Sequence, residues 1–181
     1  ELDSSYKKLA ITKSDAETEV GEVEVTRWDS ANEEAELWFR APISGSTDTQ
    51  FYLYYDSTHS DNSNVKDPGS ATSLWPTGSD ENYIAVYHMG EASGDLVDST
   101  GNSFDASVAD LESRQVDGYN GGYAVSFEPE DYLTLGDLDL EGDELSVFVV
   151  ANAESDQAVS GTWVGCFPTT DQYIFYVKHD S

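Results

Sequence analysis

The chain has 181 residues, 38% hydrophobic and 12% aromatic, which is enough apolar material for a core in one or two domains. Eight lysines and arginines stand against 36 acidic residues, for a formal net charge of −28. That balance excludes nucleic acid as a partner, because neutralising phosphates needs clustered cations, and it disfavours anionic membrane surfaces.

Taken in chain order, the pattern is β throughout. Ser14 to Glu19 reads as one short helical turn or a loop. Val23 and Val25 then alternate with Glu22, Glu24 and Thr26, the period of a half-buried strand whose glutamates face solvent. Leu37 and Phe39 alternate in the same way with Glu36, Trp38 and Arg40. In Phe51 to Tyr55 both faces are apolar or aromatic. Tyr52 and Tyr54 lie opposite Phe51, Leu53 and Tyr55, so one set covers the core and the other packs on a second domain or stacks on a sugar ring. Turn-forming runs separate these strands: Ser30 to Asn32, Pro42 to Gly45 and Asp61 to Asn64.

Residues 56–80 shift to Ser, Asp, Asn, Gly, Pro and Thr, the composition of a connector, with Leu74 and Trp75 as its anchor on a neighbouring sheet. Beyond it, strands are predicted at 83–89, 123–127, 132–135, 144–151 and 172–178. Leu145, Val147 and Val149 alternate with Phe148 and Val150, which predicts a central strand covered on both faces, and Tyr173 to Val177 reads alike. His88 shares a face with Val86 and Ile84, the setting of a packed, hydrogen-bonded histidine. The expected fold is all-β, an antiparallel β-sandwich of two β units.

Two stretches resemble known families. V-E-V-T-R-W-D-S from Val23, A-E-L-W-F-R-A-P from Ala35 and T-D-T-Q-F-Y-L-Y-Y-D from Thr47 resemble the domain of unknown function called DUF2341. Asp56 replaces the glycine usual in that family, so the turn there departs from its pattern. Tyr83 to Asn102, followed by Tyr123 to Leu135, resembles the opening of a laminin-G-like, concanavalin-A-like jelly roll. The resemblances imply a DUF2341-like domain over 1–80, including the connector 56–80, and a jelly roll over 81–181. Both are incomplete at the chain ends, so a piece of a longer polypeptide is expected. Such a jelly roll implies a binding module, often for sugars.

Asp98-Ser-Thr-Gly-Asn102 carries the most specific candidate chemistry. Its carboxylate, amide and carbonyl oxygens suit calcium, with Asp95 and Asp105 as further ligands. The favoured alternative is an Asx-type turn, with Asp98 accepting backbone N–H groups and Gly101 at positive φ. The acidic corners Glu128 to Asp131 and Asp137 to Asp143 read first as solvated loops. The −28 charge itself suits a surface adapted to high salt, or divalent-cation sites within it. Cys166, the single cysteine, lies among apolar neighbours and reads as an inert thiol. His59, His88 and His179 have no metal-like spacing, and no phosphate loop or G-x-S-x-G is present.

No strand carries the alternating carboxylates of a jelly-roll glycosidase, so an enzyme is not expected. The expected role is a noncatalytic binding or adhesion module, recognising a glycan or a surface protein within a larger extracellular, cell-surface or virion assembly. A purely structural subunit and a glycoside hydrolase or lyase are the rival readings. No apolar run approaches the roughly 18 residues of a membrane span.

Overall fold

The computed structural model describes residues 4–78, 81–109, 113–118, 122–127, 131–135, 138, 146–151, 164–165 and 174–175. The protein is all-β, built from several antiparallel sheets, an arrangement compatible with a β-sandwich. Among the described residues no helix is long and apolar enough to cross a membrane. The chain forms two compact units, Glu1–Glu141 and Gly142–Ser181.

The first unit opens with a 3-10 turn, Tyr6–Lys8, leading into β1 (Leu9–Thr12), a strand that the sequence patterns did not predict. The stretch from Ser14 to Glu19 is a loop, not a helical turn: Asp15 Oδ1 accepts the N–H groups of Glu17 and Thr18, and Ala16 sits at φ +60°. These bonds hold the Asp15 carboxyl down to about 2, first through the Thr18 hydroxyl. β2 (Val23–Asp29), β3 (Glu34–Phe39), β4 (Tyr52–Tyr55) and β5 (Val65–Lys66) follow. β4 pairs antiparallel with β1, Leu9 opposite Tyr55. β2 lies between antiparallel β3 and parallel β5.

The core of this unit is Leu9 and Ile11 from β1, Val23 and Val25 from β2, and Val65 from β5. Tyr6, Val20, Trp28, Leu37, Phe51 and Tyr55 pack around it. Strict alternation from Val25 would send Arg27, not Trp28, to the core. The register shifts between Val25 and Arg27, leaving Thr26 as the extra residue of a bulge. The bulge re-aims the strand, and Trp28 packs beside Tyr55 at 5.6 Å and Tyr6 at 6.3 Å. The described part of the connector is anchored at several points: Val65, Ala71 and Leu74 are all buried.

The remaining strands of this unit are short. β6 (Thr77–Gly78) pairs with β7 (Glu81–Asn82), β8 (Ser107–Ala109) with β11 (Tyr132–Thr134), and β9 (Ser113–Asp117) with β10 (Tyr123–Ser126), all antiparallel. The strand predicted at 83–89 does not form. Its backbone groups bond instead to the turn at 98–102, described below, so no ladder is available to it. Within the second unit, β12 (Val164–Gly165) pairs with β13 (Ile174–Phe175). The central strand predicted at 144–151 does not appear over 146–151, and Phe148 there is 89% exposed. The alternation was that of a covered strand, but a ladder needs a partner, and among the described residues no strand pairs with 146–151. Cys166, His179, Glu128 to Glu130, Asp137, Asp139, residues 140–145 and most of the predicted strand at 172–178 lie outside the described residues.

Candidate functional site

Pairing of β2 with β3 sets Glu24 opposite Trp38, so the two side chains share a face, away from Val23 and Val25. The sequence pattern had placed Glu24 in solvent, yet it is 0% exposed. The reason is a cover that strand periodicity cannot reveal: Leu74 and Trp75 from one loop and the Tyr83 to His88 segment from another close over this face.

Glu24 Oε2 accepts the indole N–H of Trp75 at 2.7 Å, and His88 Nε2 lies 2.9 Å from the same oxygen. Oε1 is buried and has no hydrogen-bond partner among the described residues. Burying a carboxyl oxygen unpaired is costly, so the neighbours must hold the group in place. Three aromatic groups do so: the His88 ring lies 4.9 Å from Trp38 and 5.6 Å from Trp75, and Trp75 lies 5.8 Å from Trp38. Tyr83 meets Trp75 edge-on at 5.4 Å.

In front of these rings is an open cleft of about 470 Å³, lined by Trp38, Phe39, Arg40, Leu74, Trp75 and Tyr83. Its size is that of a small-molecule site. Trp38 and Tyr83 remain 39% and 43% exposed.

Each wall has its own tether. Trp38 donates its indole N–H to Thr26 Oγ1, and that hydroxyl bonds Glu36. The Trp75 loop is pinned through Ser73, whose N–H and hydroxyl both donate to Glu22 Oε2, at 2.9 and 2.6 Å. The third wall is held by the turn from Asp98 to Asn102. Asp98 Oδ1 accepts the N–H of Val86 and of Thr100, while Oδ2 accepts the Thr100 hydroxyl and the Phe104 N–H. Ser99 N–H donates to the Val86 carbonyl. Asn102 reaches back with its amide to the carbonyls of Tyr83 and Ile84. The turn therefore clamps the segment that carries Tyr83 and His88 to the cleft.

Of the four candidate calcium ligands, the structure brings three together by hydrogen bonds. Asp98 and Asn102 grip the 83–86 backbone, and Asp105 Oδ1 accepts the Asp98 N–H at 2.9 Å. Asp95 is exposed on the preceding loop. The Asx-type turn is present, but positive φ falls on Ser103, not on Gly101. Among the described residues no group of three or more His, Cys, Asp or Glu is placed to hold a metal ion. Burial pushes the nearby Tyr87 hydroxyl up to about 12, helped by the charges of Asp98 and Asp105, while it donates to the Phe104 carbonyl.

Of the two faces of 51–55, Phe51 and Tyr55 pack on the core, while Tyr52 and Tyr54 are exposed on β4 and do not line the cleft. The expectations for Leu74 and Trp75 as an anchor and for His88 as a packed, hydrogen-bonded residue match the structure. Sequence reasoning missed that Glu24, Trp38, Trp75, Tyr83 and His88 belong together. The available signal was Trp38 on the polar side of its strand, where a large ring needs a cover.

The chain matches no family model, no curated protein and no solved structure.

Proposed function

We propose that the protein is a noncatalytic binding module whose aromatic cleft recognises a glycan, within a larger extracellular, cell-surface or virion assembly. The observation that carries this reading is the cleft itself, walled by Trp38, Trp75 and Tyr83 beside polar groups. Sugar rings have apolar C–H faces that pack on the electron-rich faces of aromatic rings, and nearby polar groups fix their orientation. The sequence order resembling a DUF2341-like domain ahead of a laminin-G-like jelly roll supports the same class. Glu24 and His88 are nearly sealed from solvent, at 0% and 7% side-chain exposure, and do not line the cleft, which favours binding over acid–base catalysis.

A glycan screen with and without calcium tests this. Binding that Trp38→Ala reduces at least tenfold is expected. Absence of binding in both conditions would overturn the reading, and binding only with calcium would bring the Asp98 turn into the site. A structural role in an assembly is the second reading, favoured by the exposed apolar side chains of Leu53 on β4 and of Phe148. Concentration-dependent oligomers in sedimentation, lost on Leu53→Lys, would support it.

A further inference from the structure

The rings behind the cleft make a corner rather than a shelf. Trp75 is inclined 54° to Trp38 and 80° to Tyr83, at centroid separations of 5.8 and 5.4 Å. A flat sugar face lies against one such ring at a time, whereas a rounded substituent can touch faces lying in different planes. Each face carries the negative side of a ring quadrupole, which attracts cations within ~6 Å of the centroid.

The electrostatics behind the rings point the same way. Glu24 and His88 share a hydrogen bond at 2.9 Å. Behind the rings, the unpartnered Oε1 of the buried Glu24 carboxyl presents a lone-pair oxygen, the polarity that favours a cation over an anion. Arg40 brings a positive charge to the cleft wall, so the place for a cation is against the rings and not beside its guanidinium. The net charge of −28 draws cations and repels sulfated or uronic ligands.

We propose that the group seated against Trp38, Trp75 and Tyr83 is an ammonium or alkylated ammonium carried by the ligand. This rests on the reading of the cleft as a ligand site. The shared chemistry has two sources, an amino sugar within a glycan or a choline-like head group.

The test uses the full chain at about 1 M NaCl, where screening over ~3 Å removes diffuse attraction to the acidic surface. Tryptophan fluorescence is titrated with choline and with its uncharged carbon isostere, 3,3-dimethylbutan-1-ol. A glucosamine trimer and its fully N-acetylated counterpart form the second pair. The charged member of at least one pair should bind ~2- to 30-fold tighter, and the better pair identifies the source. Trp38→Ala and Tyr83→Ala, each confirmed folded by circular dichroism, should erase that preference. Equal affinities within both pairs overturn the cation and leave glycan recognition standing if the sugars bind. A preference that survives in both variants also overturns it, because the charge is then being felt elsewhere. Silence from all four probes overturns the cation, and the cleft as a glycan site then stands or falls with the glycan screen.

Discussion

Asp98 shows how one side chain can replace a strand partner. Its two oxygens accept four hydrogen bonds, three of them from the backbone at Val86, Thr100 and Phe104. All four donors lose their partner in Asp98→Ala, and a buried donor left unpaired costs about 1–3 kcal/mol. The variant should be destabilised by on the order of 3 kcal/mol or more in urea unfolding, with Asp98→Asn milder. A loss below about 1 kcal/mol would mean that the turn does not hold the 83–86 segment. Tyr87 beside it supplies a pH signature. Its hydroxyl is raised from 10.0 to about 12, so the folded state favours the neutral phenol. That stabilisation is complete below the ordinary tyrosine value and is lost as pH climbs through the folded one. Stability should therefore fall above pH ~10, and Tyr87→Phe should flatten part of that fall in alkaline denaturation curves. Tyr6, also raised to about 12 by burial and by its bond to Asp67, contributes to the remainder.

Among the elements, those with strict alternation and a neighbour in sequence were legible. β2 and β3 are antiparallel partners joined by a short turn, where Asp29 accepts the N–H groups of Ala31 and Asn32. The failures have physical causes. Glu24 alternates like a solvent residue because strand periodicity records two faces, not what a distant loop lays over one of them. Tyr83 to Met89 has the composition of a strand, yet side chains of Asp98 and Asn102 take the hydrogen bonds that a ladder would use. β1 was missed because Leu9–Thr12 carries neither a clear alternation nor the aromatic run that marks β4, a strand of equal length. The aromatic site joins residues from 24 to 88, which no local pattern connects. The loop after β5 also has a specific requirement. Gly69 sits at φ +80°, and a Cβ there would lie 2.7 Å from Val97 Cγ1. Gly69→Ala should cost at least ~1–2 kcal/mol, from the left-handed backbone alone. A variant as stable as the parent in thermal unfolding would show that this loop is not pressed against the strip around Val97.

At the scale of the whole molecule, the charge decides the conditions under which the fold is stable. Few of the acids are paired: ion pairs among the described residues include Lys7 with Asp67, Lys66 with Glu22, and Arg27 with Asp29 and Glu34. With a net charge of −28, self-repulsion opposes compaction, and salt screens it. The midpoint of thermal unfolding should rise between 0.1 M and molar sodium chloride. A flat response would mean that the acids are spaced widely enough not to interact, and a rise with calcium alone would reveal specific sites. The same field would concentrate cationic ligands near the cleft, so binding has to be measured where diffuse attraction is screened.

The most direct test of the aromatic cleft as the binding site is the set of indole N–H signals in a 15N-labelled sample. The four tryptophans give four such signals, and a ligand from the glycan screen is titrated against them. Trp38 and Trp75 line the cleft, while Trp28 packs against the core on the other face of β2. Saturable shifts of the Trp38 and Trp75 signals, with Trp28 unmoved, are the predicted result. Saturation of binding with Trp38 and Trp75 both unmoved would contradict it.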